Sequence, residues 1–246
     1  MLATLSLNFS PPVIAHRGAS AYAPENTMIA FTKAAQLGAK WIEFDVMLAA
    51  CGTPIVFHDD LLDRTTNGKG EVTQFPYAYL NTLDAGAWFN PIYAGEHIPT
   101  LAEVLLFLKN THMNVNVELK PTAGYEKELV IRVLEIISPY LDHPSFTILF
   151  SSFSMEALQH LREYSPNALI GLLLHEWEKG WEKYVESLQC VSLHVNEEII
   201  DRETAQKIKK MDKKLLCYTV NNPKRAKELF SFGVDAVFSD NPDKIC

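Results

Sequence analysis

No stretch of this 246-residue chain approaches the ~20 consecutive apolar residues that a membrane-spanning helix needs. The first nine residues, Met1 to Phe9, contain no Lys or Arg, and their apolar character ends at Ser10-Pro11-Pro12, so the segment lacks the charged start of a secretory signal. Positive charge is scarce: 22 Lys and Arg stand against 30 Asp and Glu, a net charge of −8. That balance argues against a general binder of nucleic acid or anionic membranes, which reward basic surfaces. Any phosphate chemistry must then rest on local cations. The four cysteines (Cys51, Cys190, Cys217, Cys246) form no C-x-x-C pair. Cys190 and Cys217 fall at or in apolar strand-like runs and read as reduced core residues rather than ligands. A cytoplasmic location is the expectation. Internal repeats, low-complexity tracts and linkers are also absent.

What is present is alternation. Short apolar runs at 13–16, 41–47, 114–120, 147–150, 169–174, 190–195, 215–220 and 236–239 are separated by helix-like segments at 27–37, 101–109, 126–137, 155–164, 177–188, 205–210 and 223–232. Eight strands with intervening helices predict a parallel sheet closed into a (β/α)8 TIM barrel, with a doubly wound open sheet as competitor. Ser154 suits a helix N-cap, Asn26 a cap of the first helix or a brace for the preceding loop, Pro223 a first turn and Gly233 a helix end. A full eighth helix is not expected. The stretch at about 60–99, rich in Gly, Asn, Thr, Pro and aromatics, breaks the pattern; it reads as an insertion at the mouth of a single domain covering 1–246. Its aromatic residues, Phe75, Tyr77, Tyr79, Trp88, Phe89 and Tyr93, are expected to form its small core, an apolar entrance being the alternative.

Glu43 and Asp45 lie two apart on a strand and so face the same side. Two carboxylates facing inward from Trp41-Ile42-Glu43-Phe44-Asp45-Val46 repel each other and resist burial unless a cation holds them. Glu118, in Val117-Glu118-Leu119-Lys120, repeats the problem. Three such oxygen donors suit Mg²⁺ or Ca²⁺; the bland reading is a structural ion network with Arg17 and Lys120. His16 and His58 each end an apolar run beside these acids and suit acid–base work near neutral pH. Zinc ligation is the alternative, weakened because Cys51 sits in a probable turn. Arg17 and Lys120 supply the cations that a phosphodiester anion needs. Tyr218 ends the seventh strand, where it stacks on a small polar headgroup or fills the core. His194 reads as structural, and Asp240 as a turn residue.

In order along the chain, His16-Arg17-Gly18, Pro24-Glu25-Asn26-Thr27, Glu43-Phe44-Asp45, His58-Asp59, residues 64–70, Val117-Glu118-Leu119-Lys120, Ser151-Ser152-Phe153, Tyr218-Thr219-Val220-Asn221 and residues 233–240 closely resemble the glycerophosphodiester phosphodiesterases, bacterial cytoplasmic type. The resemblance implies a (β/α)8 barrel whose extra segment is a lid or small subdomain. It implies Mg²⁺ or Ca²⁺ on Glu43, Asp45 and Glu118, His16 and His58 as the acid–base pair, and Arg17 and Lys120 on the phosphate. Tyr218 stands where many members carry Trp. The implied activity is hydrolysis of glycerophosphodiesters to sn-glycerol 3-phosphate and an alcohol. A lysophospholipase D-like activity and a non-catalytic phosphodiester-binding module are the competitors. The expected partner is a small-molecule glycerophosphodiester, with no nucleic acid and no stable membrane association; a homodimer is left open.

Overall fold

The computed structural model describes residues 7–141, 143, 144 and 146–245; Cys246 and the first six residues, both read in the sequence above, lie outside them. Nine strands form one sheet: β1 Val13–Ala15, β2 Trp41–Leu48, β3 Pro54–Val56, β4 Asn114–Leu119, β5 Ile148–Ser152, β6 Leu169–Leu174, β7 Ser192–Asn196, β8 Lys214–Tyr218 and β9 Ala236–Ser239. Eight are parallel, and Val13, Ile14 and Ala15 of β1 lie opposite Val237, Phe238 and Ser239 of β9, which closes the ring. The (β/α)8 barrel expected from the alternation is therefore the fold, and the open sheet is excluded by that closure. The helices are α1 Met28–Gln36, α2 Tyr77–Leu80, α3 Leu101–Thr111, α4 Glu126–Ile137, α5 Met155–Tyr164, α6 Trp181–Ser187, α7 Arg202–Lys209 and α8 Pro223–Phe232. None is long and apolar enough to cross a membrane.

The ninth strand was not among the eight expected. β3 runs antiparallel to β2, with Val46, Met47 and Leu48 opposite Val56, Ile55 and Pro54. The eight-residue β2 outgrows its three-residue neighbour β1, which it meets in register only at Ala15 and Ile42. β3 covers the polar backbone edge that would otherwise be left bare.

Alternation along the strands divides two cores. Ile42, Phe44 and Val46 of β2 join the large core between barrel and helices, whereas Trp41 points inward with Ile14, Leu149, Leu216, Ala236 and Phe238. Leu7 and Phe9 close the N-terminal end of the barrel onto that inner cluster, and the Phe9 and Trp41 rings lie 4.8 Å apart. One level up, the interior turns polar with Asn116, Ser151, Ser192 and His194, all buried. His194 is structural, as expected: its Nε2 lies 2.9 Å from Ser192 Oγ, and burial pushes its pKa down to about 3. Gly171 of β6 is required there, since a Cβ would stand 2.4 Å from His194 Nε2.

Helix boundaries follow their caps. Thr27, not Asn26, caps α1 by accepting the Ala30 N–H, so the capping option for Asn26 is corrected. α6 starts at Trp181 rather than 177 because Gly180 (φ +87°) turns the chain immediately before it. α7 starts earlier than expected, at Arg202, since Asp201 accepts the Thr204 N–H. Ser154, Asn222-Pro223 and Gly233 (φ +104°) act as read. Only a 3-10 turn, Pro242–Lys244, follows β9 in the described residues.

The stretch at 60–99 holds α2 and two 3-10 turns, Val72–Gln74 and Pro91–Tyr93. Its core is aliphatic, with Leu62, Val72, Leu80, Leu83, Ala85 and Ile98 packed on Met47, Ile55 and Phe57. The aromatic core expected there is thus corrected. Phe75 and Tyr77 only flank this core, and Tyr79 and Trp88 are each 39% exposed. Rings with a polar end go where a partner waits: Trp88 Nε1 donates to the Ala85 carbonyl and the Tyr93 hydroxyl to the Tyr22 carbonyl.

Candidate active site

The C-terminal ends of the strands gather the polar side chains. In parallel register, β2 sets Glu43 opposite Asn116 and Asp45 opposite Glu118 of β4. Glu43 and Asp45 are 3% and 1% exposed, and one oxygen from each of Glu43, Asp45 and Glu118 can be chosen within 4.8 Å of the others. The spacing rule that placed them on one face holds. Asn26, in the left-handed region at φ +57°, donates its amide to Asp45 Oδ2 at 2.8 Å. Its backbone N–H donates to the Arg17 carbonyl, so Asn26 does brace that loop.

The loop after β1 carries His16-Arg17-Gly18. Arg17 (φ +54°) gives its backbone N–H to Glu43 Oε2 at 2.9 Å and a guanidinium N–H to Glu25 at 2.8 Å; its Nε stands 3.4 Å from Asp45 Oδ2. Gly18 must be glycine: φ is +82° and a Cβ would sit 2.7 Å from the Ala30 carbonyl carbon of α1. Lys120, just past β4, reaches only to 4.0 Å from Asp45 Oδ1.

Each histidine has a carboxylate on Nδ1. His16 Nδ1 is 2.7 Å from Asp240 Oδ1, and His58 Nδ1 is 2.6 Å from Asp59 Oδ1. The reading of Asp240 as a mere turn residue is therefore corrected. Asp240 also lies 2.9 Å from Ser20 Oγ and accepts the Asn221 amide at 2.6 Å. Asp59 instead shares its charge with Arg64, which grips both its oxygens and both of Glu25. From sequence Asp240 carried only a turn role, and Glu25 and Arg64 stood in motifs with no role assigned. The available signal was barrel closure, which sets the residue after β9 beside the residue after β1.

The electrostatics separate the three acids. Burial, then Asp45 and Glu118, push the Glu43 carboxyl well above the ordinary range. Burial and Asp45 push Glu118 up to about 8. Burial acts the same way on Asp45, but Arg17, His58, Lys120 and the Asn26 amide outweigh it and hold Asp45 below its ordinary value. Burial is also the largest influence on His58, which lies below its usual value with Arg17 and Lys120 adding to the shift against Asp45 and Asp59. On Arg17, burial is outweighed by Asp45, Glu25 and Glu43, which keep it charged. Glu43 Oε1 is buried with no hydrogen-bond partner. Two carboxyls pushed above the ordinary range and an orphaned oxygen describe a site short of positive charge, and a hard divalent cation fits that donor set.

A cavity of about 240 Å³ opens over this cluster, lined by His16, Arg17, Glu43, His58, Glu118 and Tyr218 among others. Of the eight residues expected at the site, Asp45 and Lys120 stand just outside its lining. Tyr218 donates its hydroxyl to the Leu174 carbonyl at 2.9 Å and meets Phe153 edge to face, at 5.9 Å. Phe153, 45% exposed, is a wall residue that the sequence reading did not single out. The arrangement can hold a cation, bind an anion against Arg17 and present two imidazoles whose Nδ1 atoms are already engaged.

Comparison with known proteins identifies the family. A glycerophosphodiester phosphodiesterase of Caldanaerobacter subterraneus is 35% identical, covering 95% of each chain. One from Bacillus altitudinis is 32% identical over 94% of this chain and 95% of its own. Among solved structures, an Oleispira antarctica phosphodiesterase in complex with the product sn-glycerol-3-phosphate superposes with a TM-score of 0.93 at 40% identity, covering 96% of this chain and 95% of that one. A glycerophosphodiester phosphodiesterase from Agrobacterium tumefaciens gives 0.77 at 28% identity, over 95% and 97%. The family model described as the glycerophosphoryl diester phosphodiesterase family matches residues 16–244, and the chain belongs to that family.

Proposed function

We propose that this enzyme hydrolyses glycerophosphodiesters such as glycerophosphocholine and glycerophosphoethanolamine to sn-glycerol 3-phosphate and the free alcohol, as a single domain with one Mg²⁺ or Ca²⁺ on Glu43, Asp45 and Glu118. The observation that carries it is the trio of carboxylates within 4.8 Å of one another, two of them pushed above the ordinary carboxyl range by burial and by their neighbours, flanked by two histidines with carboxylates on Nδ1. When bound, the cation supplies charge stabilisation at a phosphate oxygen. Arg17, charged and anchored by Glu25, draws the phosphodiester to the mouth of the barrel, with Lys120 adding positive charge behind Asp45. The Asp240 and Asp59 carboxylates fix the rings so that Nε2 of each histidine is the atom that takes or gives a proton. One histidine deprotonates the nucleophile and the other protonates the departing alkoxide. A cytoplasmic setting belongs to this reading, and Cys51, Cys190 and Cys217 are free thiols.

The test is release of glycerol 3-phosphate from glycerophosphocholine by chelated protein before and after adding Mg²⁺ or Ca²⁺. Restored release is expected; silence of folded protein with both ions overturns the reading and sends the search to long-chain lysophospholipids. Asp240→Asn probes the histidine geometry separately. It keeps the size of the side chain but no longer demands a proton on His16 Nδ1, so kcat is expected to fall at least ~10-fold with KM little changed, in the manner of an orienting acid beside a proton-transfer histidine. Unchanged kcat removes Asp240 from that role.

A further inference from the structure

The mouth of the barrel holds a second cavity, about 270 Å³, lined by polar side chains that the chemistry above does not use: Ser20, Asn221 and Asn241 beside Glu25 and Asp240, with Ala21 at its rim. His16 and Arg17 line both this cavity and the 240 Å³ one over the carboxylates. Each alone is somewhat smaller than the ~300–1,000 Å³ of common small-molecule sites, as suits a site for one arm of a substrate. A phosphodiester has one anionic centre and two ester arms. Arg17 is the cation common to both cavities, so a phosphate held there sends one arm into each.

Two differences decide which arm goes where. The inner cavity has a buried floor: Glu43, Asn116, Leu173 and Phe238 are at most 5% exposed, with Phe153 exposed at its edge. The outer one opens to solvent, with Ala21 and Asn221 exposed. Substrates of this class share glycerol phosphate and differ in the alcohol; the shared arm needs fixed walls, and the variable arm needs room. We infer that the outer cavity is the subsite for the leaving alcohol, and that its lining selects small, donor-rich alcohols, polyols or ammonium alcohols, over acyl-bearing ones. This inference rests on the glycerophosphodiester reading and names the half of the substrate that sets specificity.

The chemistry of the walls supports the selection. Apart from Ala21 and the shared His16 and Arg17, the outer lining offers a hydroxyl, two amides and two carboxylates. The carboxylates are held ionised: burial works against this, but Arg64 and Arg17 hold Glu25 below its ordinary value, and His16 and Asn221 hold Asp240 at about 2. Their free lone pairs accept from hydroxyl or ammonium groups. An acyl chain there would strip water from these groups without replacing the hydrogen bonds, which is strongly unfavourable.

Ala21 allows a clean test, since it is exposed and contributes only its backbone N–H, to the Asp240 carbonyl. In metal-loaded enzyme, Ala21→Trp narrows the outer cavity; Ala21→Leu is the milder companion should the first fold poorly. The readouts are kcat/KM for glycerophosphoinositol and glycerophosphoethanolamine, and inhibition by glycerol 3-phosphate. The expected result is a fall of roughly tenfold or more in the inositol-to-ethanolamine ratio, about 1.4 kcal/mol, with inhibition by glycerol 3-phosphate unchanged. Weakened inhibition with an unchanged ratio would put the glycerol arm in the outer cavity and overturn the inference. No change in either readout would leave the cavity without a part in substrate binding and overturn it equally. Wild-type protein that turns over neither diester instead refutes the glycerophosphodiester reading itself, so the two failures are distinguishable.

Discussion

Replacing His16 or His58 by alanine is expected to lower kcat about 10²- to 10⁴-fold, the usual worth of a positioned acid or base, while KM and divalent-ion binding stay near wild type. The separation of effects follows from the geometry. Both rings line the cavity over the carboxylates, and each has its Nδ1 held by a carboxylate, at 2.7 Å for Asp240 and 2.6 Å for Asp59. Those bonds spend the outward nitrogen and leave the other for proton transfer. In the proposed function the groups that attract the phosphate are different ones: Arg17 is anchored on Glu25 and Glu43, and the three acids on β2 and β4 do not depend on either ring for their position. The measurement is steady-state turnover of glycerophosphocholine alongside a metal titration of the same variant. Near-normal kcat in either variant removes that histidine from proton transfer, and loss of metal binding would mean it serves the cation instead.

Stabilisation by the divalent ion is expected to be large and to grow with pH. Glu43 and Glu118 both have folded values above their ordinary 4.5, Glu118 at about 8. Between those values the metal-free fold keeps protons that the unfolded chain has released, so these two groups make the fold less stable as pH rises through the window. A bound cation must displace the same protons, so its affinity rises over the same window. His58 and His194 pull the opposite way below about 6.5, because burial makes both harder to protonate in the fold than in the unfolded chain. The informative quantity is therefore the difference in Tm between metal-loaded and chelated protein at each pH. At a free ion concentration of ~100 Kd the ion adds about 2.7 kcal/mol, roughly 5–10 °C for a chain of this size, and the difference should shrink toward pH 5. A difference that is flat from pH 5 to 8 would show that Glu43 and Glu118 do not give up protons to the ion.

Much of this site was legible because its parts obey local rules. Glu43 and Asp45 share a face by the two-residue period of a strand, and two acids on an apolar strand stand out as a polar cluster that burial alone would not tolerate. His16 and His58 mark strand ends by the abrupt stop of an apolar run. β3 escaped because it is three residues long and its partner is the overhang of β2, a feature set by the unequal lengths of β1 and β2. The aromatic residues of the insertion were placed in its core on hydrophobicity alone, yet the hydroxyl of Tyr93 and the indole N–H of Trp88 are drawn to backbone carbonyls at its surface.

What the sequence by itself determined is the eight barrel strands and the helices between them, the barrel class and the identity of the inward-facing acids and histidines, since each depends on periodicity within a few residues. Only the tertiary structure decided who orients whom. His16 and Asp240 lie 224 positions apart and meet because the first and last strands pair; Arg64 joins Glu25 to Asp59 because the insertion folds back over the β1 loop. Contacts of that kind come from closing a ring of strands: closure says which strand ends become neighbours, but which side chains on them bond is decided by the folded loops and not by any local period.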